Sequence, residues 1–95
     1  MRRTEILLGR RRMDGSYISQ ADFDQWLREV VDPKLVNYTV LPAIGHWMGT
    51  VEDSTVLIDI GALDGVLDGI ALDYKTRFNQ QAVLMDAEEV VIKQI

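Results

Sequence analysis

One side chain in the sequence can exchange a proton near neutral pH: His46, set in Gly45-His46-Trp47-Met48-Gly49. Imidazole ordinarily titrates between pH 5 and 8, so a His-Trp pair between glycines reads as a pocket wall carrying an acid-base group. The plainer reading is a strand end where Trp47 packs and His46 meets solvent. A metal site needs further ligands. The nearest acids, Glu52 and Asp53, fall on an expected hairpin loop without ligand spacing. With no cysteine and no second histidine, structural zinc, thiolate chemistry and disulfides drop out. Ser16, Ser19 and Ser54 are available as nucleophiles, but none lies in a G-x-S-x-G elbow. Asp64 and Asp68, four apart, read as the solvated flank of a helix, since paired carboxylates do acid-base work only where their environments separate their pKa values. Gly61, Gly65 and Gly69 match neither a dinucleotide nor a phosphate-loop fingerprint. No cofactor and no metal are expected.

Two further features invite a ligand. The densest polar-aromatic stretch, Tyr74-Lys75-Thr76-Arg77-Phe78-Asn79-Gln80-Gln81, crosses from a helix into a strand. Lys75 and Arg77 there complement the negative end of the helix dipole, which explains them without a ligand. Gln81 at the strand start either fixes the corner or reads a ligand, because a buried amide needs partners. The second feature is charge placement. Residues 1–12 carry five arginines and one acid, while the remainder carries five bases against fourteen acids. That basic end suits an anionic ligand, or it keeps an edge strand from pairing wrongly. The candidate binding residues are therefore Arg10, His46, Trp47, Tyr74, Arg77 and Gln81, with His46 the single candidate acid-base.

These residues must be held by a small set of elements. Thr4 to Gly9 reads as a buried strand, followed by a turn at Met13-Asp14-Gly15-Ser16. Ser19 opens a helix with Asp22 three residues on. Phe23, Trp26, Leu27, Val30 and Val31 form one stripe on it, and Asp32-Pro33 stops it. Leu35 to Leu41 reads as a strand that Pro42 places at an edge or bends, resuming through Ile44 to Met48. Ser54 to Ile60 alternates, with Val56, Ile58 and Ile60 on one face and Thr55, Leu57 and Asp59 on the other. Leu57 suggests that the second face is partly covered as well. A second helix spans Leu63 to Phe78 with Leu63, Leu67, Ile70, Tyr74 and Phe78 in line. Gly65 and Gly69 sit opposite that stripe. Either a partner approaches the bare backbone there, or the first turn around Leu63-Asp64-Gly65 is irregular. Gln81 to Met85 is a short strand, and Val90 to Ile95 another apolar run.

The order β-α-β-β-α-β folds as an α+β, ferredoxin-like domain: a four-stranded antiparallel sheet, two helices on one face, and an extra C-terminal strand. Ninety-five residues make a single domain. The uncovered sheet face predicts a homodimer or higher homo-oligomer through the sheets or their edges. No apolar run approaches the roughly 20 residues that span a bilayer, and no signal-peptide stretch follows the first arginines. A cytoplasmic location is expected, with no membrane partner. Nucleic acid is not an expected partner either, because the strongly acidic remainder repels phosphates.

Several short motifs look familiar together. Gly45-His46-Trp47 after Thr39-Val40, the strand from Glu52 to Ile60, and Tyr74-x-x-x-Phe78-x-x-Gln81-x-Val83-Leu84 resemble a family of small bacterial and phage-associated proteins of unknown function. The likeness covers roughly residues 4 to 86. It implies a ferredoxin-like α/β fold and dimerisation, and it brings no catalytic assignment. Many members of that family carry export signals, which this chain lacks.

The first functional expectation is a non-enzymatic homo-oligomeric domain that binds a small anionic ligand or a protein partner. The second is a lyase- or isomerase-type enzyme using His46 as acid-base. The third is a phage-type inhibitor that presents its acidic surface to a host protein. A single acid-base candidate favours binding over catalysis.

Overall fold

Alternation sets the sheet. In the computed structural model, which describes residues 1–95, β1 (Arg2–Gly9) buries Thr4, Ile6 and Leu8 and turns Arg3, Glu5, Leu7 and Gly9 to the other face. β1 pairs antiparallel with β3 (Thr50–Ile60) on one side, Ile6 opposite Leu57 and Gly9 opposite Ser54. On its other side it pairs with β4 (Leu84–Glu89), Leu7 opposite Leu84 and Glu5 opposite Asp86. β2 (Tyr38–Trp47) joins β3 through Met48-Gly49, whose φ angles of 48° and 80° are both positive. Two such residues make the tight turn whose twist matches that of paired strands. The sheet order is β2-β3-β1-β4, the ferredoxin-like β-α-β-β-α-β arrangement.

Two helical segments cover one face. Ser19 caps α1 (Gln20–Trp26), its hydroxyl accepting from the Asp22 N–H at 3.1 Å. The helix continues as a π turn over Leu27–Val31, closed by the Asp32 N–H donating to the Leu27 carbonyl at 2.8 Å. This wider turn keeps Val30 and Val31 buried alongside Trp26. α2 (Val66–Arg77) buries Leu67, Ile70 and Tyr74, with Phe78 just beyond its end. Trp26 lies at the centre of the aromatic packing, 4.8 Å from the Tyr74 ring centroid, 5.8 Å from Phe23 and 6.3 Å from Phe78. Its indole N–H donates to Asp73 Oδ1 at 2.9 Å. No helix is long and apolar enough to cross a membrane.

Several boundaries and one face differ from expectation. β2 runs unbroken through Pro42, which an edge strand tolerates because its outer N–H positions need no ladder partner. Glu52 and Asp53 lie inside β3 and not in a hairpin loop, since the turn takes only two residues. α2 begins at Val66: Gly65 adopts φ 87° ahead of it, and Leu63 is 80% exposed outside the stripe. The irregular-turn reading of Gly65 therefore holds, and Gly69 faces open space. The helix-covered face of β3 is Thr55, Leu57 and Asp59, not the β-branched set. The polar pair is satisfied there, Thr55 by Arg10 and Asp59 by the Ala62 N–H, so neither penalises burial. The last strand starts at Leu84 instead of Gln81. The extra C-terminal strand does not form: β4 ends at Glu89, and residues 90–95 add no fifth strand to the sheet. Opposite the helices, Leu7, Leu41, Ile60 and Leu84 remain exposed on the bare sheet face.

Candidate functional site

A cavity of about 430 Å³ opens on the bare face of the sheet, where β1 ends. Glycines clear its floor. A Cβ on Gly9 would stand 2.9 Å from Gln80 Oε1 and 3.3 Å from Glu52 Oε1. A Cβ on Gly45 would stand 3.8 Å from Ser54 Oγ. Leu7 and Leu84 give the cavity apolar flanks, while Arg11, Arg12 and Met13 and the Gln80–Ala82 corner close it from the loops. The two loops are tied together by the Met13 N–H, which donates to the Asn79 carbonyl at 3.0 Å.

Gln80 is held in one orientation. It is only 8% exposed, and its Nε2 donates to the Arg11 carbonyl at 2.9 Å and the Phe78 carbonyl at 3.0 Å. Both donors being spent, Oε1 is the end turned toward Gly9 and the cavity. Glu52, across from it, forms no ion pair or side-chain hydrogen bond, whereas Arg11 and Arg12 are engaged elsewhere. Arg11 donates to Tyr17 Oη at 2.7 Å, and Arg12 donates to the Tyr17 carbonyl at 2.9 Å and sits 3.9 Å from Asp22. The floor thus presents acceptors; of the cations beside it Arg12 is held by Tyr17 and Asp22, while Arg11 gives one bond to Tyr17 and its buried Nε has no partner.

Three of the six expected binding residues, His46, Trp47 and Gln81, line this cavity. The other three do not. Arg10 lies on the covered face, its guanidinium 4.3 Å above the Phe23 ring and donating to Thr55 Oγ1 and the Ile18 carbonyl, both at 3.3 Å. Arg77 pairs with Glu29 at 3.1 Å and Asp73 at 3.5 Å. Gln25 and Arg77 together hold the Glu29 carboxyl below its ordinary range. Tyr74 is fully buried beneath the floor, and its hydroxyl donates to the Gly9 carbonyl. The basic N-terminal stretch is likewise consumed locally: Arg2 pairs with Asp64, and Arg3 with Glu5 and Glu88. Sequence reasoning missed Gly9, Glu52 and Gln80. A glycine closing an Ile/Leu strand was the available signal, since strand glycines mark close approach. No group of three or more His, Asp or Glu residues is placed to hold a metal ion.

Burial pushes the Tyr74 phenol well above its ordinary value, and burial with the Asp32 hydrogen bond pushes Tyr38 up to about 12. Both groups are neutral in the folded chain at pH 10, where the unfolded chain begins to ionise them. Their stabilising contribution is complete below pH 10 and falls as pH climbs through the folded values. Stability measured by urea titration is expected to drop steadily above pH 10. Tyr74→Phe should flatten that drop while lowering stability at pH 7 by about 1–3 kcal/mol, because the part-buried Gly9 carbonyl loses its donor. An unchanged alkaline slope in Tyr74→Phe would show the phenol is not its source.

The profile of the family described as Protein of unknown function (DUF3574) matches residues 3–93, and the chain belongs to that family. No curated protein matches the sequence. Among solved structures the fold is similar to a phage SAM lyase in complex with S-methyl-5'-thioadenosine. The TM-score is 0.63 at 14% identity, covering 93% of this chain and 80% of that one. The apo form of phage SAM lyase gives a TM-score of 0.64 at 14% identity, covering 92% and 78%. At that identity the likeness is one of fold.

Proposed function

We propose that this member of the DUF3574 family is a small lyase-type enzyme that takes an adenosine sulfonium, S-adenosylmethionine or a close analogue, into the Gly9 cavity. The observation that carries the reading is the cavity itself: about 430 Å³, with Glu52 and the Gln80 amide oxygen turned into it, on a fold shared with a phage SAM lyase. A carboxylate without a partner attracts a cationic substrate, and the apolar flanks Leu7 and Leu84 suit a nucleobase.

The chemistry asks little of the protein. Breaking the bond between sulfur and the aminobutyrate carbon returns the electron pair to sulfur, and the sulfonium leaves as neutral S-methyl-5'-thioadenosine. The carbon fragment closes in one of two balanced ways. Its own carboxylate oxygen attacks the carbon that sulfur leaves, giving a lactone with no proton transferred. Alternatively a base removes the neighbouring C–H proton, the C–H pair becomes the double bond, and an unsaturated amino acid departs. His46, at the cavity edge, is the group to take that proton.

Incubating the protein with S-adenosylmethionine and following S-methyl-5'-thioadenosine by chromatography tests this. Turnover is expected, and His46→Ala should lower it by about 10²–10⁴-fold if the imidazole is the base. Undiminished turnover in that variant would assign the reaction to ring closure and remove His46 from it. Absence of product sinks the lyase reading. Tight binding of S-methyl-5'-thioadenosine without turnover would instead favour the second reading, a non-enzymatic homo-oligomeric binding domain. The exposed Leu7, Leu41, Ile60 and Leu84 on the bare sheet face favour that one.

A further inference from the structure

Glu52 and Gln80, we infer, form a subsite for a vicinal diol, the two hydroxyls of a ribose. This deepens the nucleoside reading of the cavity and rests on it. Both side-chain oxygens lie within 3.3 Å of the point where a Gly9 Cβ would sit, so the missing methyl lets them stand close together over the bare Gly9 backbone at the cavity floor. One oxygen is an amide acceptor whose orientation is not free, because Nε2 is spent on the Arg11 and Phe78 carbonyls. The other belongs to a carboxylate, which when ionised accepts and cannot donate. A pair of neighbouring acceptors, that of Gln80 fixed, selects a group with two donors. An anionic group placed between these oxygens would meet lone pairs and a negative charge; nearby, Arg12 is held by the Tyr17 carbonyl and Asp22, and Arg11 turns its Nη2 to the Tyr17 hydroxyl. A ribose offers two adjacent O–H donors, and an acidic side chain on a ribose hydroxyl is a recurring solution in nucleotide sites.

The Gln80 amide divides between two tasks. Gln80 is 8% exposed, its Nε2 is spent on two carbonyls, and its Oε1 makes no hydrogen bond within the chain. Corner-fixing needs only the Nε2 bonds. Oε1 is the part that remains for recognition.

The test compares adenosine with 2',3'-dideoxyadenosine by isothermal titration, and methyl β-D-ribofuranoside by saturation-transfer NMR. On the wild-type protein, loss of the diol should weaken nucleoside binding at least tenfold. Glu52→Gln replaces one acceptor by a donor at a half-buried side chain that makes no hydrogen bond, so the fold survives, as circular dichroism would confirm. In that variant the two nucleosides should bind within about threefold of each other, and the riboside signal should vanish. Equal affinity of the wild type for both nucleosides overturns the diol subsite and leaves the nucleoside reading standing. A riboside signal that depends on Glu52, with no nucleoside bound, keeps the subsite and sinks the nucleoside reading. Silence from all three probes overturns both.

Discussion

Replacing Trp26 with alanine is expected to remove about 3–5 kcal/mol of stability, read as a lowered urea midpoint. The indole is fully buried and touches aromatic rings from both helical segments: Phe23 on its own helix, and Tyr74 and Phe78 on and after α2. Two costs add. The cavity left by an indole cannot be refilled by rings already locked edge to face, and Asp73 loses the indole N–H that it accepts at 2.9 Å. A domain of this kind has only about 5–15 kcal/mol in total, so the variant should sit near its unfolding transition at physiological temperature. The contrast is Trp47→Ala. Trp47 is 48% exposed at the end of β2, and its removal should move the midpoint little. Since the chain holds two tryptophans, Trp47→Phe leaves Trp26 as the sole reporter of core unfolding. A Trp26→Ala protein that unfolds within 1 kcal/mol of the wild type would show that the two helical segments are not held by this cluster.

What the sequence made legible follows from period and what it hid follows from direction. Spacing located the stripe Phe23, Trp26, Val30 and Val31 and the stripe Leu67, Ile70, Tyr74 and Phe78, because a buried helix face repeats every 3.6 residues. The Ser19 cap and the edge placement implied by Pro42 are local chemistry and were equally readable. The π turn at Leu27–Val31 was not, since over five residues a wider turn shifts the apolar pattern by less than one position. Alternation in β3 showed two faces but not which one the helices cover. Val56, Ile58 and Ile60 are the more apolar set and still lie on the bare face, because Thr55 and Asp59 find hydrogen bonds on the other. The site suffered most. Tyr74, Arg77 and Gln81 lie within eight residues of sequence, yet helix geometry turns Tyr74 under the sheet and Arg77 outward to Glu29. Glu52 and Gln80, 28 positions apart, meet only through the pairing of Gly9 with Ser54. No periodicity announces such a meeting.

Gly9→Ala is expected to abolish ligand binding in the cavity while leaving a folded protein, and the asymmetry between those effects is the point. The backbone of Gly9 lies within a strand and not in the left-handed region, so alanine meets no φ penalty there. The added methyl nevertheless lands 2.9 Å from Gln80 Oε1 and 3.3 Å from Glu52 Oε1. Glu52 can swing aside. Gln80 cannot retreat without breaking two hydrogen bonds, and the strand cannot drop away, because the Gly9 carbonyl is held from below by Tyr74. Overpacking of this kind costs about 1–3 kcal/mol, partly offset by about 0.4–1 kcal/mol from the stiffer unfolded chain. Nucleoside affinity should fall by at least about 30-fold, because the methyl pushes both acceptors off the positions from which they would meet the ligand's donors. Gly69→Ala supplies the control. It adds a methyl on the open side of α2, with no atom within 4 Å, and should raise stability by up to about 1 kcal/mol without touching binding. If Gly9→Ala bound adenosine as tightly as the wild type, the floor between Glu52 and Gln80 would not be where a ligand sits. The cavity would then have to take its ligand along the Trp47 and His46 rim alone, where no buried polar group is placed to select one.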